Sequence, residues 1–146
     1  MIGARLRRFG RASSGATAIE FAIVAAPLLL FLTGTIEFGR LLWTREALRE
    51  TAISAARCMG VLGVSCRSGG VYNSAQTLSY VQDRALAWSV VVPSSGVTLS
   101  DNATCAGVGG FSQVTISYTF ATALPLFVGA LKSVPLTASA CFPNQS

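Results

Sequence analysis

The sequence contains no histidine and few charged residues. Charged residues make up 12% of the 146 residues, and only six residues are acidic. Without histidine, the chain lacks the usual general base of enzymes and a common zinc ligand. Beyond residue 50 the only acids are Asp83 and Asp101. We therefore expect no enzymatic activity and no metal or other cofactor. The alternative is an anchored hydrolase that uses a serine with Lys132 as its nucleophile. The sequence shows no active site for such an enzyme.

The chain also has no internal repeat and no low-complexity tract. Its length leaves room for one small domain beside a membrane segment, because domains usually contain about 100 to 150 residues. A second, catalytic domain does not fit within this length.

The basic residues are concentrated at the N-terminus. Removing residues 1–15 removes four arginines and no acid, so the formal charge falls from +5 to about +1. This distribution argues against a nucleic-acid partner. Basic residues that flank a membrane segment stay on the cytoplasmic side, so we expect a cytoplasmic N-terminus.

An acid interrupts the apolar segment that follows this basic leader. Glu20 lies five residues after Gly15, and the segment continues apolar through Leu32. A charge inside a bilayer costs several kcal/mol unless it has a partner, so such an acid indicates a functional site. Cleavage after Gly15 would create a free amine that could serve as that partner.

The segment from Gly15 to Arg57 resembles the TadE-like family of pseudopilins or minor pilins from tight-adherence (Flp-type) pilus systems. The resemblance rests on Gly-Ala-Thr-Ala-Ile-Glu-Phe at 15–21, Ala-Pro-Leu-Leu-Leu at 26–30, Ile-Glu-Phe-Gly-Arg at 36–40, Ala-Leu at 47–48 and Ala-Ala-Arg at 55–57. In the major Flp pilin a tyrosine follows the glutamate, whereas Phe21 stands here, which fits a minor component better.

The resemblance implies a role in tight-adherence pilus assembly or initiation, with consequent surface adherence. A prepilin peptidase should cut between Gly15 and Ala16, after which Glu20 and Phe21 should take part in subunit assembly. The implied partners are that peptidase, other pilins or pseudopilins and the inner membrane, with no nucleic acid. The implied location is a single-pass inner-membrane protein with a periplasmic C-terminal domain, incorporated in the pilus after processing.

Three other interpretations remain open. The N-terminus could be an ordinary secretory signal peptide or an uncleaved signal anchor. The third interpretation is a permanently anchored periplasmic binding or adhesin module that never enters a filament.

The expected fold is α+β, with a pilin-like lollipop arrangement of three segments. Residues 1–15 are a basic leader, 16–58 form one transmembrane and stalk helix, and 59–146 form a periplasmic head. Pro27 lies inside the predicted helix and removes a backbone donor, so it is either a kink or a tolerated membrane proline. Glu37 can pair with Arg40 at i+3 as a solvated pair at the membrane interface.

In the head, sequence patterns predict a second helix and a three-stranded antiparallel sheet. Asn73 and Gln76 resemble an N-cap pair, and Pro93–Gly96 is expected to end the helix that they open. Alternating polar and apolar residues predict strands at 97–100, 114–120 and 136–142.

Four cysteines, in a small exported domain, predict two disulfides with three possible connectivities. Spacing favours Cys58 with Cys66 and Cys105 with Cys141. A zinc site is the competing interpretation, but the chain has neither a CxxC pair nor a histidine.

The segment between the last two predicted strands is too apolar for a solvated connection. It either folds back over the sheet or presents an apolar patch to a partner subunit. The residues of this possible partner patch are Leu124, Leu126, Phe127 and Leu131.

Overall fold

The computed structural model of the chain describes residues 14–122 and 133–145. These residues form two α-helices, a two-stranded hairpin and a three-stranded sheet, which confirms the predicted α+β class. They fall into two compact units, one that ends at Glu37 and one that spans Phe38–Ser146.

Helix α1 spans Ser14–Gly60, close to the predicted range of 16–58. Among the described residues it is the one helix that is long and apolar enough to cross a membrane, with a mean hydropathy of 2.1 in its most apolar window. This fits single-pass anchoring near the N-terminus.

The C-terminal end of α1 has no glycine in the left-handed conformation, although glycines follow it in the sequence. Leu62 takes that conformation instead, with φ of 49°. The Gly63 amide donates to the carbonyl of Cys58 at 2.8 Å, and the Leu62 amide donates to Met59 at 3.1 Å. This pair of bonds is a Schellman motif, which satisfies carbonyls that the helix leaves free.

A short hairpin follows α1 that the sequence patterns did not predict. Strand β1 (Arg67–Ser68) pairs antiparallel with β2 (Val71–Tyr72). Gly69 and Gly70 make the turn with φ of 60° and 85°, a conformation that glycine adopts without steric cost. Two-residue strands are too short to show the alternation on which strand prediction relies.

Helix α2 spans Ser74–Ala87 and has the predicted N-cap. The backbone amide of Gln76 donates to Oδ1 of Asn73 at 2.9 Å. The helix ends well before the predicted Pro93, because Ser89 adopts the left-handed conformation and the Val90 amide closes a second Schellman motif.

The main sheet has strand order β3-β4-β5, with both pairs antiparallel. Its strands are β3 (Val97–Cys105), β4 (Val108–Ala121) and β5 (Ser133–Pro143). Each extends beyond its predicted range. The β3–β4 turn consists of Ala106 and Gly107, both with positive φ, as a type I′ hairpin requires.

The core of the Phe38–Ser146 unit contains side chains from both helices and the main sheet. Its α1 residues recur at helical spacing. Strand β4 buries Val114, Ile116 and Phe120, whereas Thr115, Ser117 and Thr119 lie on the other face. One face of the sheet therefore contributes to the core and the other is polar, as predicted. The buried cluster comprises Ala47, Leu48, Ala52, Ala55, Ala56, Met59, Val81, Ala85, Val90, Val92, Val114, Ile116 and Ala138.

Candidate functional site

The predicted processing and assembly residues lie in the first two turns of α1. The bond between Gly15 and Ala16 is in the first turn, and the side chain of Ala16 lies outside the described set. Glu20 and Phe21 follow one turn later, and both side chains are exposed, Phe21 to 74%. The Glu20 carboxylate is therefore accessible to a partner group on another molecule.

Large apolar side chains surround Glu20 along the helix and are exposed. They include Ile19, Phe21, Ile23, Val24, Leu28, Leu29, Leu30, Phe31 and Leu32. None of the residues in the most apolar window is buried within the chain. Contiguous apolar surface of this size marks a site of contact with lipid or with another protein.

Pro27 lies within this exposed region, and the helix continues on both sides of it. Because proline has no backbone N–H, the carbonyl one turn earlier, at Ile23, lacks its helical donor. Thr33 and Thr35 donate side-chain hydrogen bonds to carbonyls of the preceding turn, which also perturbs helix geometry. A kink at Pro27 remains a prediction.

Glu37 differs from Glu20 in its environment. Its side chain is 4% exposed, so the expectation of a solvated carboxylate is wrong. The helical repeat places Glu37 on the same face as Leu48, eleven residues later, which is also buried. Arg40 has its guanidinium 5.6 Å from the centre of the Phe120 ring, which is a cation–π contact.

The four cysteines form the two disulfides that spacing favours, Cys58–Cys66 and Cys105–Cys141. The first joins the last turns of α1 to the residue before β1. The second joins the end of β3 to β5 across the central strand. Because all four sulfurs are in disulfides, none is available as a zinc ligand.

A cavity of about 280 Å³ lies beside the end of α1 and contains one of the two acids of the predicted head. Tyr72 and Asp101 line it, together with Asn144, whose amide nitrogen donates to the Asp101 carbonyl at 2.7 Å. Burial, and secondarily the nearby Asp101 carboxylate, raises the pKa of the Tyr72 phenol above its ordinary value of 10.0. The other acid, Asp83, lines a separate depression with Tyr80.

A second cleft was missed by the sequence patterns, and it brings together the two tryptophans of the chain. The ring centres of Trp43 and Trp88 are 5.3 Å apart in an edge-to-face arrangement. Trp88 is the C-cap residue of α2 and is 37% exposed. The available signal was the spacing of Trp43, Glu46 and Glu50, which places all three on one helix face.

The predicted partner patch lies outside the described residues. Leu124, Leu126, Phe127 and Leu131 all fall between 122 and 133, as does Lys132. The apolar patch therefore stays a prediction.

Comparison with known families locates a match on α1. Residues 15–57 match the family model described as TadE-like protein. This confirms the resemblance noted in the sequence. No curated protein and no solved structure matches the chain.

The TadE-like match covers about a third of the chain and coincides with most of α1. It begins at Gly15, the residue after which cleavage was predicted, and includes Glu20, Phe21 and Pro27. It ends one residue before Cys58, so the two disulfides and the main sheet lie outside the matched segment. The chain is therefore similar to TadE-like proteins over this segment.

Proposed function

We propose that this chain is a pseudopilin or minor pilin that a prepilin peptidase processes and that takes part in the assembly or initiation of a tight-adherence pilus. The observation that carries the proposal is the TadE-like match from residue 15 to residue 57. In this proposal the peptidase cuts between Gly15 and Ala16. The bond lies in the first turn of α1, so that turn unwinds when the bond enters the peptidase.

Glu20 then directs subunit assembly. Its exposed carboxylate lies among exposed apolar side chains, and a lone charge in such surroundings is costly in lipid. The amine created at Ala16 of a neighbouring subunit offsets this cost by forming an ion pair. Such a pair is favourable mainly because leaving either charge alone is costly, so it fixes the register between adjacent helices.

The exposed apolar surface of α1 has two successive environments in this proposal. Before assembly it faces lipid in the inner membrane, and after assembly it packs against the helices of other pilins. The arginines of the leader keep the N-terminus cytoplasmic, so residues after the membrane segment are periplasmic. The two disulfides agree with an oxidising compartment.

The proposed role is structural, and this chain catalyses no reaction in it. Its partners are the peptidase, the other pilins or pseudopilins of the same system and the inner membrane. Adherence to surfaces then follows from the completed filament.

Substitution of Glu20 tests the assembly role. Glu20→Ala should leave membrane insertion intact and reduce recovery in sheared pili by at least about tenfold, because the neighbouring amine loses its partner. Glu20→Asp keeps the charge and should retain part of the assembly. Asp83→Ala, which removes an exposed acid of α2, is the control and should assemble normally. Normal recovery of Glu20→Ala in pili would contradict the pairing role.

A further inference from the structure

The cleft between Trp43 and Trp88 has the composition of a site that binds a cation. It has a volume of about 400 Å³ and is lined by Trp43, Glu46, Ala47, Glu50 and Trp88. The indole nitrogen of Trp43 donates to the Trp88 carbonyl at 3.4 Å, which joins the end of α2 to α1. All of these residues belong to the Phe38–Ser146 unit.

The two aromatic rings are accessible rather than buried in the core. Trp43 is 58% exposed and Trp88 is 37% exposed. Exposed indole rings lose the free energy that burial would provide, and their faces attract cations through the ring quadrupole. Arginine suits such a site, because its planar guanidinium stacks on aromatic rings while donating hydrogen bonds at its edge.

Two acidic side chains flank the rings. Glu46 and Glu50 are exposed and lie four residues apart on α1, a spacing at which like charges destabilise a helix. Within residues 14–122 and 133–145, neither carboxylate forms an ion pair. Arg45 lies about 200° around the helix from Trp43 and faces away from the cleft. A cation bound between the carboxylates would relieve their repulsion.

We propose that this cleft binds an arginine side chain presented by a partner protein, with the guanidinium against the indole rings and paired with Glu46 and Glu50. The carboxylates disfavour an anionic or phosphate-bearing occupant, so the charge of the cleft favours a basic protein segment over a lipid headgroup. The proposal concerns recognition by the folded unit and holds whether or not the leader is cleaved.

The two tryptophans allow a direct test, because they are the only ones in the chain. Intrinsic tryptophan fluorescence of the full chain therefore reports this cleft alone. The full chain in phosphatidylcholine nanodiscs is titrated with the peptide acetyl-Gly-Arg-Gly-amide. A matched peptide carries citrulline, which has nearly the same shape as arginine but no charge.

We expect a saturable fluorescence change with the arginine peptide, with a dissociation constant on the order of 1 mM. The citrulline peptide should bind about tenfold more weakly or worse, and added salt should weaken arginine binding. The double variant Glu46→Gln/Glu50→Gln should lose about tenfold in affinity, whereas Asp83→Asn should bind like the wild type. Both variants alter exposed residues, and a thermal midpoint no lower than that of the wild type verifies folding.

Equal binding of the two peptides, or full affinity in the double glutamine variant, would overturn the proposal. A third outcome would show that the tryptophans contact lipid instead, and it would also overturn the proposal. In that outcome, phosphatidylcholine with brominated acyl chains quenches the tryptophan fluorescence, and the arginine peptide does not relieve the quenching.

Discussion

The two acids in the N-terminal half of α1 show how far a single residue can be interpreted from sequence. Glu20 was singled out because an apolar segment surrounds it, and its side chain is exposed among exposed apolar residues. Glu37 was assigned to a solvated pair because Arg40 lies at i+3, yet it is buried. Spacing along one helix predicts neighbours on that helix and says nothing of the residues that cover its face.

Tyr72 provides a test of the cavity beside the end of α1. Burial and the Asp101 carboxylate raise its pKa, so the neutral phenol is favoured in the folded state. The resulting contribution to stability is fully present below the ordinary pKa of 10.0 and is lost as pH rises through the raised value. We therefore expect one of the three tyrosines to ionise late in an ultraviolet difference titration of the folded protein.

Two variants identify that tyrosine. Tyr72→Phe should remove the late-ionising group. Asp101→Asn should lower the pKa of Tyr72 only in part, because burial is the larger cause. A titration curve unaffected by either substitution would show that the phenol is not perturbed in this way.

At the scale of elements, prediction succeeded where a pattern is long and failed at the C-terminal end of α2 and for the short β1–β2 hairpin. The apolar period of α1 and the alternation of β4 extend over many residues, and both elements were correctly predicted. The C-terminal end of α2 was not, because Ser89 takes a left-handed conformation that sequence preferences assign to glycine. That conformation is imposed by the Schellman hydrogen bonds of the folded backbone.

Two glycines of α1 should respond oppositely to alanine. A Cβ at Gly60 would lie 2.6 Å from a ring carbon of Phe142 and 2.9 Å from the carbonyl oxygen of Pro143, whereas a Cβ at Gly39 would meet no atom within 4 Å. Gly60→Ala should therefore destabilise the fold by about 1–3 kcal/mol through overpacking. Gly39→Ala should stabilise it by about 0.5–1 kcal/mol, because alanine favours helix.

Chemical denaturation of the two variants, each compared with the wild type, measures both changes. Equal effects of the two substitutions would mean that the end of α1 does not pack against β5 as the structure shows.

The two disulfides should contribute unequally to stability. Their cysteines are separated by 8 residues in Cys58–Cys66 and by 36 in Cys105–Cys141. In the loop-entropy model the shorter loop corresponds to about 2.5 kcal/mol and the longer one to about 4 kcal/mol. Replacing both cysteines of each pair by alanine should therefore lower the thermal midpoint more for the second pair. The reverse order would contradict the loop-entropy account.

At the scale of the whole molecule, the chain consists of a matched segment and a sheet-bearing part outside the match. The TadE-like segment could be identified from sequence because its glycine, glutamate and apolar residues occur in a fixed order. The tryptophan cleft could not, because it joins residues 45 positions apart on two helices, and neither helix alone indicates the pairing. The account of function depends on the matched segment. The arginine-binding proposal depends on Trp43, Glu46 and Glu50 within that segment and on Trp88 outside it.

The measurement that tests the central claim most directly is the mass of the N-terminal fragment of the purified protein. In cells with an active prepilin peptidase, the account predicts that the protein begins at Ala16, having lost the residues through Gly15. In matched cells without the peptidase it should retain Met1 and the four arginines of the leader. An intact leader in both strains would contradict processing, and with it the ion pair to Glu20. That result would favour a permanently anchored binding or adhesin module, while leaving the arginine-binding cleft open to its own test.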